Sequence, residues 1–281
     1  MSERADAHIH LFEGGYQDSF VKRLGRPIDE AVCYASLAED HGVKAALVVG
    51  YADVPWAAEN NRYLARMVAQ YDWVHPVAYY DAGEPPTTDD LERLRSGGFV
   101  GLSFYIFGQE RVDALLSISD EVWSWLTSRQ WLISVNSKGE DWAAWQTILQ
   151  QHGELRLLVS HLGLPPKVGE PPTEAGAREA MASVLALAGF PQSRVKLSGF
   201  YAMTDPGHDY PHRAAWPYVE ALLAAFGAER LLWASDFSPC LDWLTFPQTF
   251  GLFSRMPFLS EADRERIEGA NLLALLDEVV V

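Results

Sequence analysis

The sequence predicts an α/β protein folded as one (β/α)8 (TIM) barrel, a single domain over residues 1–281. The length of 281 residues lies near the usual size of such a barrel. Eight short apolar, β-rich runs recur along the chain, each followed by a helical pattern. The rival architecture, an open doubly wound sheet, normally shows a Gly-rich phosphate turn after its first strand, and Phe12–Gly15 carries no GxGxxG.

The first run is Ala5–His10. Asp29-Glu30 opens the helix that follows and His41-Gly42 closes it, a glycine just beyond the last turn. Ala45–Ala52 and His75–Asp81 are the next two runs, and Thr88-Asp89-Asp90 starts a helix carrying Leu91 and Leu94. After Phe99–Ile106, Ser119-Asp120-Glu121 starts the helix of Val122, Trp125 and Leu126. The fifth run, Trp131–Ser137, precedes a helix opened by Glu140-Asp141, carrying Trp142, Trp145, Ile148 and Leu149, and closed by Gly153. Arg156–Gly163, Arg194–Tyr201 and Leu231–Ser238 complete the eight, with helices over Ala177–Ala188 and Tyr218–Phe226 between them. Pro165–Glu174, too rich in proline for regular helix, and Met203–Trp216 are long connections placed after late strands, so both are expected over the barrel mouth.

A chain this long buries about three quarters of its unfolded surface and needs no staple. Acidic residues outnumber basic ones by 38 to 22, for a formal charge of −16. That field repels nucleic-acid phosphates and anionic lipid, so a small-molecule substrate is expected rather than either of those partners, with a homodimer left open. Cys33 and Cys240 have no CxxC partner, and Cys33 reads as a small buried hydrophobe on an apolar helical face. Neither an apolar leader nor an 18-residue apolar stretch is present, which reads as a cytoplasmic protein.

Asp6-Ala-His8-Ile-His10 is the most informative segment. Alternate side chains of a strand share a face, so Asp6, His8 and His10 are expected to point together into the barrel. Two imidazoles at a strand end can ligate one divalent ion or polarise one carbonyl, and Asp6 could orient one of them from behind. Standing alone, the pair reads equally well as solvent-facing histidines. His161 at the end of the sixth run is by itself a core or capping histidine, and Asp236 at the end of the eighth is by itself a helix N-cap. In a closed barrel the first and eighth strands are neighbours, so His8, His10 and Asp236 converge. Lys196 and Ser198 share a face of the seventh strand. Lys196 reads as half of a core ion pair with a carboxylate, and Ser198 as a hydroxyl near the mouth. Tyr105, Asn136, Tyr201 and Trp216 are further candidates for substrate contact, and most other aromatics read as core or shell.

HxH on strand one, His on strand six and Asp on strand eight resemble the amidohydrolase superfamily. More narrowly, the chain is similar to the amidohydrolase-related branch of sugar lactonases (fuconolactonase, rhamnonolactonase) and pyrone-dicarboxylate lactonases. The likeness lies in DAHIHLF at 6–12, SHLGLP at 160–165, VKLSGFY at 195–201, FGAERLLWASDFSPCLDW at 226–243 and LSEADRERIEGANLLALL at 259–276. It implies a hydrolase acting on a small carbonyl substrate, a lactone above all, with Asp236 and His161 catalytic. It implies one zinc-like divalent ion on His8, His10 and Asp236, with His161 a further ligand, while metal-free chemistry stays open. The superfamily often has a strand-five histidine and a bridging strand-four lysine, and this chain has Asn136 and the segment Gly101–Tyr105 there, which leaves no dinuclear centre. The arginines that grip a pyrone dicarboxylate, one after the strand-four glycine and one after KLSG, are missing too. The alternatives are a metal-dependent decarboxylase of an aromatic or muconate-type acid, and a ligand-binding barrel without catalysis.

Overall fold

A computed structural model describes residues 3–18 and 27–280. Eight parallel strands follow in sequence order: β1 Arg4–Ile9, β2 Val43–Val49, β3 Val74–Tyr79, β4 Gly101–Ile106, β5 Leu132–Ser137, β6 Arg156–Val159, β7 Arg194–Leu197 and β8 Leu231–Trp233. With helices alternating between them, they form a single (β/α)8 barrel. The predicted barrel is observed and the rival open sheet is excluded, because the chain just beyond β8 returns to β1 through the parallel bridge Ile9–Phe237.

Local sequence explains most of the elements. The helix Glu30–His41 is capped by Asp29, whose side chain accepts from the Val32 N–H, and ends at Gly42 with φ 69°. The helix Thr88–Ser96 begins at the expected Thr88, and its cap is the preceding Thr87, which forms a capping box with Asp90. Trp142 belongs to a 3-10 turn, Gly139–Trp142, that leads into the helix Ala143–Gln151. The stretch read as one helix over Ala177–Ala188 is two, Glu174–Ala180 and Ala182–Ala186. The two long connections pair with each other: Val168 N–H donates to Met203 O at 2.9 Å, and Asp205 N–H to Val168 O at 2.9 Å.

Three readings are corrected. Cys33 is exposed, because the buried stripe of its helix runs through Ala31, Tyr34 and Ala38 and passes beside it. The last three strands stop short of their predicted ends. After Val159 and Leu197 the chain turns into the short helical segments His161–Gly163 and Phe200–Met203, so β-propensity gives way to tight turns. Asp6 does not orient a histidine ring. A bulge between Asp6 and Ile9 interrupts the alternation of β1, and the carboxylate reaches Tyr34 of the following helix, accepting its hydroxyl at 3.0 Å.

That carboxylate also accepts from Ser235 N–H at 2.8 Å and His8 N–H at 3.2 Å. It therefore holds the seam between β1 and the chain beyond β8, where the strand ladder is thinnest. Burial pushes its pKa up to about 7 against the pull of those donors. At the opposite end of the seam, Gly269 lies against β1 so closely that a Cβ there would come within 2.1 Å of Glu3 O. Among the described residues no helix is long and apolar enough to cross a membrane.

Removing the Asp6 carboxylate leaves two buried backbone N–H groups and a buried phenol without their acceptor. We expect Asp6→Ala to lower unfolding stability by about 3 to 5 kcal/mol, read from the urea midpoint at constant m-value. A loss below about 1 kcal/mol would show that the seam does not depend on it.

Candidate active site

Four buried side chains meet at the C-terminal ends of β1, β6 and β8. His8 Nε2 and His10 Nε2 lie 3.1 Å apart. Asp236 Oδ1 is 3.8 Å from His8 Nε2 and 3.9 Å from His10 Nε2. His8, His161 and Asp236 each offer an atom within 4.8 Å of the others. His161 and Asp236 both occupy left-handed backbone, φ 52° and 60°. For a residue with a Cβ this costs about 1 to 2 kcal/mol, and here it accompanies the sharp turns that carry these side chains to the shared pocket.

Each ring is held from behind. Val49 O can only accept, so the 2.8 Å contact to His10 Nδ1 puts the proton there and leaves Nε2 a free lone pair. His161 Nδ1 pairs with Ser198 Oγ at 2.9 Å. Gly199, at φ 67°, makes room for that ring: a Cβ would sit 2.9 Å from His161 Nδ1. His8 Nδ1 faces Ser160 Oγ at 3.3 Å and Lys196 Nζ at 3.4 Å. Lys196 donates to Ser134 Oγ at 2.6 Å. Its nearest polar partners are thus a hydroxyl and an imidazole, and the expected carboxylate ion pair is not formed. Tyr201 O–H donates to Asp236 Oδ2.

Burial dominates the electrostatics. It lowers His10 to about 4 and His161 to about 3, and it lowers His8 as well, so all three rings are neutral at physiological pH. Their contacts with Asp236 are accordingly not ion pairs. Burial raises Asp236 to about 6, opposed by His10, the Tyr201 hydrogen bond and Lys196. Burial also pushes Lys196 down to about 7, with Asp6 and Asp236 holding its charge in place.

This donor set fits one divalent cation. Neutral imidazoles and a carboxylate are the ligands such an ion takes. His10 Nε2 already presents its lone pair. With Lys196 neutral, His8 can carry its proton on Nδ1 toward Ser160 and free Nε2 as well. Asn136 and the segment Gly101–Tyr105 add no imidazole or amine, so the described residues provide for a single ion.

The remaining predicted residues divide. Tyr105 and Asn136 line a cavity of about 250 Å³ that opens beside His10. Phe12, Tyr16, Tyr51 and Phe107 form much of its wall. Tyr201 sits on Asp236, and Ser198 stands behind His161, where it orients the ring. Trp216 is not brought to the cavity: its indole N–H donates to Pro211 O at 3.0 Å and its ring packs edge-on against Phe258. The sequence reading missed Glu30, which it took only as a helix-start signal. Its buried carboxylate accepts from Phe12 N–H and Tyr16 N–H, both at 2.9 Å, and from Ser238 O–H, tying the cavity wall to the strand-eight turn. It missed the Val49 carbonyl, Ser134 and Ser160 for a simpler reason, since nothing in a main-chain oxygen or an isolated serine signals such a role.

A family model for amidohydrolases matches residues 5–277. The chain belongs to this family. It is an enzyme of the amidohydrolase superfamily, and its fold recurs in solved relatives. An amidohydrolase from Burkholderia multivorans with bound zinc superposes with a TM-score of 0.80 at 19% identity, covering 99% of this chain and 100% of that one. A probable 2-pyrone-4,6-dicarboxylic acid hydrolase from Acinetobacter baumannii, with citric acid bound, gives a TM-score of 0.74 at 16% identity over 98% and 99% of the two chains. Amidohydrolase 2 from Bifidobacterium longum subsp. infantis gives 0.68 at 15% identity over 99% and 100%. Such identities speak for the fold alone. No curated protein matches the sequence.

The Tyr201 hydroxyl favours ionised Asp236, so Tyr201→Phe is expected to raise the Asp236 pKa above its value of about 6. The acid limb of the pH–kcat/KM profile then moves to higher pH, with the plateau less affected than the rate at pH 6. An unmoved limb would show that Tyr201 does not tune this carboxylate.

Proposed function

We propose that this amidohydrolase hydrolyses a small carbonyl substrate, with lactones the favoured class, at the pocket formed by His8, His10, His161 and Asp236. The observation that carries this reading is a buried carboxylate with one oxygen held by Tyr201 and the other turned toward neutral imidazoles. The solved relatives with bound zinc and with pyrone-dicarboxylate hydrolase character support it.

A carboxyl group raised to about 6 is ionised at neutral pH yet more basic than an ordinary aspartate. Asp236 Oδ1 therefore accepts a proton from a water as the water oxygen bonds to the lactone carbonyl carbon. The same carboxyl then returns the proton to the ring oxygen as the ester C–O bond breaks, leaving a hydroxy acid. Tyr201 keeps Oδ2 occupied and fixes which oxygen does this work. Ser198 and Ser160 orient His161 and His8 toward the shared pocket. His8, His161 and Asp236, with His10 alongside, would hold a divalent cation, and such an ion would supply Lewis acidity to the pocket.

Asp236→Asn is expected to lower kcat/KM on a lactone that the wild type hydrolyses by about a thousandfold. Turnover retained within about tenfold would remove Asp236 as the base. Protein purified without chelator is expected to carry about one equivalent of a divalent metal. Less than about 0.2 equivalents, together with activity indifferent to chelation, would reject the metal site. In chelated protein, residual kcat/KM is expected to fall below about pH 6, because protonation removes the base. A bound cation favours the carboxylate and moves that limb to lower pH.

A further inference from the structure

A second cavity, of about 150 Å³, lies beside the one that opens at His10. Phe12 lines both cavities. The other walls of the second are Trp56, Ala57 and Tyr63, with Asn60 and the carboxylates of Glu13 and Glu59 completing the lining. The lining is pre-formed. Asn60, buried at the start of the helix Asn60–Val68, ties two strand ends together: its Oδ1 accepts from Tyr51 N–H at 3.1 Å and its Nδ2 donates to Leu11 O at 2.8 Å. Glu30 holds the Phe12 N–H. The Phe12 ring meets Trp56 edge-on with centres 4.8 Å apart, and it lies nearly parallel to the His10 ring at 5.7 Å.

The chemistry of this lining selects its occupant. Both halves of the Asn60 amide are engaged, and each carboxylate has its own cation: Glu13 pairs with Arg66 and Glu59 with Arg62, both at 2.8 Å. Burial pushes the Tyr63 pKa up to about 12, so its hydroxyl is neutral, as is the Trp56 indole. A charged group entering here gives up water and meets only counter-ions that are already paired. An uncharged ring meets the rings of Phe12, Trp56 and Tyr63, which offer stacked and edge-on contacts. The size agrees, because an apolar cavity of about 150 Å³ accommodates one benzene ring.

We propose that this cavity is a second recognition site, which takes one uncharged aromatic ring. A ring bound here packs against Phe12, whose own ring stacks on His10, so it lies one side chain away from the candidate active site. The ring can belong to the substrate itself or to a separate molecule, and the chemistry that recognises it is the same. Binding of the ring stands apart from the hydrolytic reading above, and only the assignment of its source draws on that reading.

Protein labelled with fluorotryptophan carries ten indole probes, and the signal lost in Trp56→Phe identifies Trp56. Benzyl alcohol is expected to shift the Trp56 fluorine resonance along a saturable curve, with a dissociation constant on the order of 1 mM. Its charged analogues, benzoate and benzylammonium, are each expected to bind at least about fivefold more weakly. Ala57→Leu builds into the cavity and is expected to weaken benzyl alcohol by at least about tenfold. Ala57→Val, a smaller intrusion expected to cost about threefold, keeps the test available should leucine not be tolerated. The proposal is overturned if the Trp56 signal stays still or moves without saturating, if either charged analogue binds tightest, or if both substitutions leave the affinity unchanged. Inhibition of turnover assigns the source of the ring. Benzyl alcohol that competes with a benzyl-substituted δ-valerolactone, and not with δ-valerolactone itself, shows a ring borne by the substrate, whereas competition with neither shows a separate occupant. Competition with the parent lactone would place the probe in the His10 cavity and overturn the second site. Lactones that are never opened would overturn the hydrolytic reading and leave the binding of the ring standing.

Discussion

One buried carboxylate lets the barrel close. Asp6 accepts from Ser235 N–H across the β1–β8 seam, from His8 N–H on its own strand, and from Tyr34 O–H in the first helix. The laddered part of β8 is only Leu231–Trp233, and the bridge above it is the isolated pair Ile9–Phe237. A side chain therefore substitutes for missing strand hydrogen bonds, satisfying main-chain donors that water cannot reach. The candidate site depends on this closure, because His8 and His10 stand on one side of the seam and Asp236 on the other.

Closure also sets the chemistry through desolvation. Removing the pocket from water makes charge expensive, so the histidines stay neutral and Asp236 becomes more basic. The same penalty acts on Lys196, which lies fully buried beside His8 with only hydroxyl and imidazole partners at hydrogen-bond distance. Proton positions in the pocket then follow from fixed acceptors such as Val49 O and from adaptable hydroxyls such as Ser160 and Ser198. The cavity beside His10 is held differently, by contacts between loop and strand ends. There Glu30 pins the segment bearing Phe12 and Tyr16 to the same turn region that carries Asp236.

The sequence by itself determined the fold class, the strand order and which residue types lie at the strand ends. Strand and helix periodicities arise from local geometry, and caps such as Asp29 and Gly42 act within a few residues, so both are visible in a linear reading. Tertiary structure decided what those residues touch. The bulge in β1 sent Asp6 to the seam instead of behind a histidine, since alternation holds only while the ladder is regular. The stripe of the first helix left Cys33 outside, and the turn before Trp216 gave its N–H to Pro211 and kept the ring from the cavity. Partners such as Ser134 for Lys196 and Tyr201 for Asp236 are separated by 62 and 35 residues. Neutral imidazoles, a basic aspartate and an unpartnered Asn136 oxygen all follow from the exclusion of water, which is a property of the packed barrel and of no single segment.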